Sequence, residues 1–186
     1  VRRSLAYQRY VINDLINWLQ PDLIHCNDWM TALIPPAARA KGVKTLFTLH
    51  NIFTELQSLR DIELSGLKPY EFGKHLYFEK YPENLLNNWE NNFNTNRVDF
   101  TASAIMSADF FNTVSPSFLK ELVEDKFSDI VPESVYKTIK DKYDMGRAAG
   151  ILNSPNIHVT PRYMNHIHNY HKKNVMEGKA INKEHF

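Results

Sequence analysis

The chain has 186 residues, 43% apolar and 23% charged, an ordinary composition for a soluble globular domain with a core of its own. Its 22 Lys and Arg against 21 Asp and Glu leave a net charge of +1, which gives no reason to expect nucleic acid or an anionic membrane as the main partner. A single cysteine, Cys26, excludes an intrachain disulfide and fits a reducing, cytoplasmic setting, and no apolar run approaches the ~18 residues of a membrane span.

In chain order, residues 2–19 carry Leu5, Tyr10, Ile12, Leu15, Ile16 and Leu19 at mixed three- and four-residue spacings, the pattern of an amphipathic helix. Gln20-Pro21 ends it, because the residue before proline is pushed out of the helical region. The opening VRRSLAYQRY lacks the apolar core of a signal peptide and an initiator methionine, so the expectation is a fragment or an excised domain. Residues 22–26 read as a short strand. Asn27 or Asp28 then caps a helix to about residue 39, with Pro35-Pro36 kinking it or delaying its start. Lys41-Gly42 closes that helix, and residues 43–49 form a second strand.

Strand, helix and strand within about thirty residues make one βαβ unit with parallel strands. Both strands are nearly all apolar, which predicts a sheet covered on both faces. Residues 54–97, aromatic and asparagine-rich, read as an insertion of short helices and loops. A helix is expected over 98–107 and a strand over 110–114. Ser115 as cap and Pro116 at the first position start a helix to about residue 124. A further helix over 133–143 and a strand over 147–152 lead to Asn153-Ser-Pro. Repeated strand–helix alternation predicts an α/β fold with a Rossmann-like, doubly wound parallel sheet over residues 1–157. Residues 158–186 read as a polar linker segment.

In such sheets ligands bind beyond the carboxyl ends of the strands. Three strand ends here are polar: His25-Cys26-Asn27-Asp28-Trp29, His50-Asn51 and Asn153. All three are expected to face one crevice.

At these residues the chain resembles the bacterial glycogen synthase and plant starch synthase family. PDLIHCNDWMTAL, KTLFTLHNIF, ADFFNTVSPSFLKEL and GILNSPN look like four of its blocks, in order, and GKAINKEHF is similar to the segment after them. The resemblance covers about residues 5–186. It implies a retaining, metal-independent glycosyltransferase of the GT-B fold, with this chain in the later part of the N-terminal domain. The implied partners are a nucleotide-sugar donor, usually ADP-glucose, and the non-reducing end of an α-1,4-glucan. No cofactor is implied.

Carried over by position, His50 stands where the family's histidine contacts the donor glucose, and Asn51 completes the His-Asn pair. Asp28 and Trp29 match the Asp-Trp beside the sugar and acceptor path. Asn153 matches the asparagine of the last block. Catalysis in such a transfer is mostly positioning and electrostatics, which suits short hydrogen-bonding side chains at rigid strand ends.

The chain departs from the family in places. Asn27 and Met30 replace histidines, and Ile52-Phe53-Thr54-Glu55-Leu56 replaces Leu-Ala-Tyr-Gln-Gly. Ala102 stands for a lysine, Ser154 for a glycine and Asn156 for an aspartate. The family's Lys-x-Gly-Gly loop lies upstream of residue 1, and the Arg, Lys and Glu that hold the diphosphate and sugar lie in a C-terminal domain beyond residue 186. The resemblance therefore implies a chain inactive in isolation.

Plainer roles stand beside these. Asp28 suits helix capping, Trp29 core packing and Asn153 a turn before proline. Cys26 reads as a small buried hydrophobe that cannot pair with His25, since adjacent strand residues point to opposite faces. His166, His168 and His171 match no standard metal spacing. Lys172, Lys173, Lys179 and Lys183 suit a solvated helix face. The aromatics Tyr70, Phe72, Tyr77, Phe78, Tyr81, Trp89 and Phe93 read as a satellite cluster before they read as a glucan platform. Two other functions compete: a carbohydrate-binding or regulatory module without catalysis, and a GT-B transferase using another nucleotide sugar.

Overall fold

The computed structural model describes residues 1–80, 89–153, 168, 170 and 173–184, with the side chains of Trp89 and Asn91 outside that set. Val1–Leu152 and Asn153–Phe186 form two compact units. The boundary expected at 157/158 falls outside the described residues, as do Tyr81, Ser154, Asn156, His166, His171 and Lys172.

The larger unit opens with α1 (Arg2–Tyr10), a π-helical stretch at Val11–Leu15 and α2 (Ile16–Leu19). Leu5, Val11, Ile12 and Ile16 form its buried stripe; of the residues the spacing predicts, Tyr10 and Leu19 are instead exposed. The helix stops at Gln20, which turns left-handed (φ 46°) before Pro21. β1 (Leu23–Asn27), α3 (Ile34–Ala40) and β2 (Lys44–Leu49) follow. The proline pair delays α3 rather than kinking it. Both prolines sit at its first positions, where a missing N–H costs nothing. A 3₁₀ turn at Trp29–Thr31 fills the gap. The free N–H of Leu33 at this delayed start is taken by the side-chain oxygen of buried Gln8, at 2.7 Å. Gly42, at φ +77°, closes the helix.

The inserted region holds more order than its sequence predicts. β3 (Leu56–Ser58), α4 (Leu59–Leu64), β4 (Tyr77–Phe78), α5 (Trp89–Phe93) and β5 (Arg97–Asp99) lie there. The three strands form an antiparallel sheet in the order β3-β5-β4. β5 takes residues expected to be helical, so α6 (Phe100–Ser107) starts two residues late, capped by Asp99. Phe72 and Phe78 are buried, and Tyr77 and Phe93 pack against the core, so these four are packing, while Tyr70 is exposed.

β6 (Phe110–Thr113), α7 (Pro116–Val123), α8 (Glu133–Asp144) and β7 (Ala148–Gly150) complete the unit. Ser115 caps α7 by accepting from the Phe118 N–H at 3.2 Å. The main sheet is wholly parallel, in the order β1-β2-β6-β7. Cys26, Phe47, Leu49 and Phe111 face the helices and are buried. On the opposite face of β1, Leu23 and His25 are exposed, so β1 is less covered than its apolar sequence predicts.

The smaller unit contains α9 (Val175–Glu184). The Asn182 side chain pairs with both the N–H (2.6 Å) and the C=O (2.9 Å) of His168. Gly178 passes against Tyr170, where a Cβ would meet the ring carbon Cγ at 2.9 Å. Lys173, Lys179 and Lys183 are exposed. No helix among the described residues is long and apolar enough to cross a membrane.

Candidate functional site

Parallel pairing sets Asn27 opposite Thr48, so the chain leaves β1 and β2 at neighbouring points. Asp28-Trp29 and His50-Asn51 emerge there side by side. A polar rung fixes the heights of these ends. The Thr48 hydroxyl donates to Asn112 Oδ1 of β6 at 2.7 Å, so His25 Nε2, also at 2.7 Å, donates to Thr48. Thr48 and Asn112 are buried.

Asp28 organises the rim. Its N–H donates to the Thr48 carbonyl at 3.0 Å. Its carboxylate Oδ1 accepts from the backbone N–H of His50 at 2.8 Å and of Asn51 at 3.4 Å. It makes no side-chain cap to the helical turn that follows, so the capping role fails: the carboxylate is already committed to the neighbouring strand end. Asp28 is only 8% exposed, so as a positioning group it fits better than as a direct sugar ligand. Its backbone lies at φ 56°, ψ 176°, a region almost reserved for glycine that costs about 1–3 kcal/mol elsewhere.

His50 and Asn51 are exposed. His50 Nε2 stands 3.0 Å from Asn27 Oδ1. That oxygen only accepts, so the imidazole carries its hydrogen on Nε2 in this contact. Asn51 Oδ1 accepts from the Phe53 N–H at 3.0 Å, a local turn that holds the departing chain. Trp29 is half-buried, its ring centroid 5.3 Å from that of Phe53. Asn153 is exposed and opens the smaller unit.

The structure thus brings together Asp28, Trp29, His50 and Asn51, as the strand-end rule predicts, and describes Asn153 with the other unit. Asn27, part of the first polar strand end, and Phe53, which the sequence offers only as a departure from a family pattern, join the rim. Their signal was position: each sits within three residues of a nominated one.

Cys26 is 2% exposed. Burial pushes its thiol up to about 12, partly offset by a hydrogen bond with Thr31, so a thiolate is not formed near neutrality. Ala102 is fully buried within α6. Among the described residues no group of three His, Cys, Asp or Glu could hold a metal ion.

The family described as starch synthase catalytic domain matches residues 3–136. The chain is similar to the glycogen synthase of Chlorobaculum parvum, 32% identical over 142 residues, covering 74% of this chain and 25% of that protein. The glycogen synthase of Clostridium novyi is 27% identical over 195 residues, 98% of this chain and 36% of the relative. The chain therefore spans between about a quarter and a third of these curated relatives. The catalytic domain of Starch Synthase IV from Arabidopsis thaliana, bound to ADP and acarbose, shares the fold with a TM-score of 0.66 at 21% identity, over 97% of this chain and 36% of that one.

Proposed function

Since the chain belongs to the starch synthase catalytic domain family, we propose that its parent protein is a retaining glycosyltransferase extending an α-1,4-glucan from a nucleotide sugar, with ADP-glucose as donor. The carrying observation is the Asp28 carboxylate holding the His50 and Asn51 amides, which presents two exposed polar side chains at a rigid strand end. That the Arabidopsis neighbour is bound to ADP and acarbose supports the adenine donor.

In this reading the glucosyl C1–O bond to the diphosphate breaks as C1 bonds, on the same face, to the 4-hydroxyl oxygen of the acceptor terminus, whose proton passes to the departing diphosphate oxygen. Charge builds on the sugar ring and on the leaving diphosphate. The rim serves the sugar side. With Nε2 engaged by Asn27, the other ring nitrogen of His50, Nδ1, is left to face a sugar hydroxyl. Asn51 and Trp29 border the same space, and Asp28 holds the geometry, worth large rate factors when lost. Asn153 adds a further sugar contact once the C-terminal domain of the parent completes the cleft. No metal takes part, and the diphosphate is held by that other domain, so the isolated chain does not turn over. A reducing cytoplasm is the compartment.

The test compares the full-length parent with its His50→Ala variant, following labelled glucose from ADP-glucose and from UDP-glucose into glycogen. Expected is wild-type activity with ADP-glucose, a loss of at least about 100-fold in the variant, and an unchanged melting temperature. Equal activity of both proteins would reduce His50 to a polar strand end. A second reading, a glucan-binding module without catalysis, is favoured by Asn27 and Ala102 standing where the family has histidine and lysine. A parent inert with both donors yet retaining glycogen binding would establish it.

A further inference from the structure

Phe53 has no part in that reaction, yet it is held as though its position mattered. The residue stays 52% exposed. Its N–H donates to Asn51 Oδ1 at 3.0 Å, and its carbonyl accepts from Thr101 Oγ1 at 2.9 Å. The next residue is tied as firmly: Thr54 Oγ1 accepts from the Thr101 N–H at 3.1 Å and donates to Asp99 at 2.5 Å. A solitary surface phenylalanine is commonplace, but this one is paired. Its ring meets Trp29 at 5.3 Å with planes 57° apart. Trp29 directly follows Asp28, and Phe53 lies two residues beyond Asn51. The two rings form a tilted apolar shelf beside a row of polar side chains.

We propose that Phe53 determines acceptor specificity: with Trp29 it forms a stacking subsite for the apolar face of a glucosyl ring in an α-glucan. The inference rests on the reading that the rim takes a glucan. A pyranose ring presents C–H groups on its faces and hydroxyls around its edge. An aromatic shelf takes the face while His50 and Asn51 take the edge. Because the backbone under Phe53 is fixed before binding, little conformational freedom remains to be lost when a sugar arrives.

The test titrates maltoheptaose into the full-length parent, read by tryptophan fluorescence, with ADP as a second probe. Wild type is compared with Phe53→Tyr, Phe53→Leu and Phe53→Ala. Tyrosine keeps a flat face and stays within about twofold of wild type, while leucine and alanine bind roughly five- to tenfold more weakly. Leucine keeps apolar bulk against Trp29 without a stacking face, so it separates stacking from packing even where alanine disturbs the fold. Wild-type affinity in the leucine variant overturns the subsite and leaves the glucan reading standing. A wild type that does not respond to maltoheptaose overturns both. A response to ADP that depends on Phe53, with maltoheptaose unaffected, overturns the subsite in favour of a nucleotide contact.

Discussion

The rim of the parallel sheet and the antiparallel sheet inserted behind it each turn on one buried aspartate, and the two are used differently. Asp99, 1% exposed, sits at φ −84°, ψ 116°, ordinary extended backbone. Its carboxylate caps α6 through the Ala102 N–H at 2.9 Å and takes the hydroxyl hydrogens of Thr54 (2.5 Å) and Ser134 (2.6 Å). Asp28 is nearly as buried, caps nothing and holds the next strand end from a glycine-like backbone. Burial and saturation of a carboxylate therefore do not distinguish structure from function. The two differ instead in the strain beneath them, and strained backbone persists only where the surroundings over-determine it.

The largest expected effect belongs to Asp99. Asp99→Ala leaves two hydroxyls and a helix N-terminus without their acceptor. A loss of about 3 kcal/mol follows, or roughly 6–12 °C in melting temperature for a chain of this size. Thermal unfolding followed by circular dichroism measures it. A variant melting within a degree or two of wild type would remove the structural half of the comparison.

The functional half rests on Asp28→Gly set against Asp28→Ala. Both lose the clamp on His50 and Asn51. Only glycine also relieves the backbone, so the glycine variant is expected to be the more stable by about 1–2 kcal/mol, with both variants of the parent losing glucan synthesis. Equal unfolding midpoints in urea would mean that Asp28 carries no strain and differs from Asp99 only in location. A smaller effect tests the rung beneath the rim: Thr48→Val strips Asn112 and His25 of their shared partner. It should cost about 1 kcal/mol while leaving the amide signals of His50 and Asn51 in place, since Asp28 holds those.

The sequence carried the parallel sheet and the placement of four rim residues, because long apolar strands, proline and glycine punctuation and the strand-end rule are local signals. It did not carry the inserted sheet. Strands of two and three residues are too short for alternation to register. Nor did it show which aspartate caps a helix. Asp28 precedes a turn and looks like a cap, yet its acceptor is claimed by amides 22 and 23 residues away. Asp99 fell inside an expected helix start, and only the β5 pairing reveals it as the cap. Both errors are tertiary hydrogen bonds overriding a local preference.

α6 extends the comparison to its far end. Asp99 places negative charge at its N-terminus, and at its C-terminus Arg39 donates to the Ser107 carbonyl at 3.1 Å and the buried Lys142 ammonium to the Ala108 carbonyl, signs that match the helix dipole. Burial, with repulsion from Arg39 and Arg147, lowers the Lys142 amine to about 8 despite Asp109 nearby. Between about pH 8 and the ~10.4 of an unfolded lysine, the native chain has lost this proton and the unfolded chain keeps it, so stability rises with pH. Cys26 acts oppositely. Its native thiol holds its proton to about 12 while an unfolded thiol ionises near ~8.5, so from there upward stability falls. Each contributes roughly 1.4 kcal/mol per pH unit within its window, and in wild type the two nearly cancel between about pH 8.5 and 10.4. Urea midpoints across that range should therefore be almost flat for wild type, fall for Lys142→Met and rise for Cys26→Ala. Parallel profiles for all three proteins would mean that neither buried group changes its proton affinity on folding, and the cationic end of α6 would then be as solvated as any surface lysine.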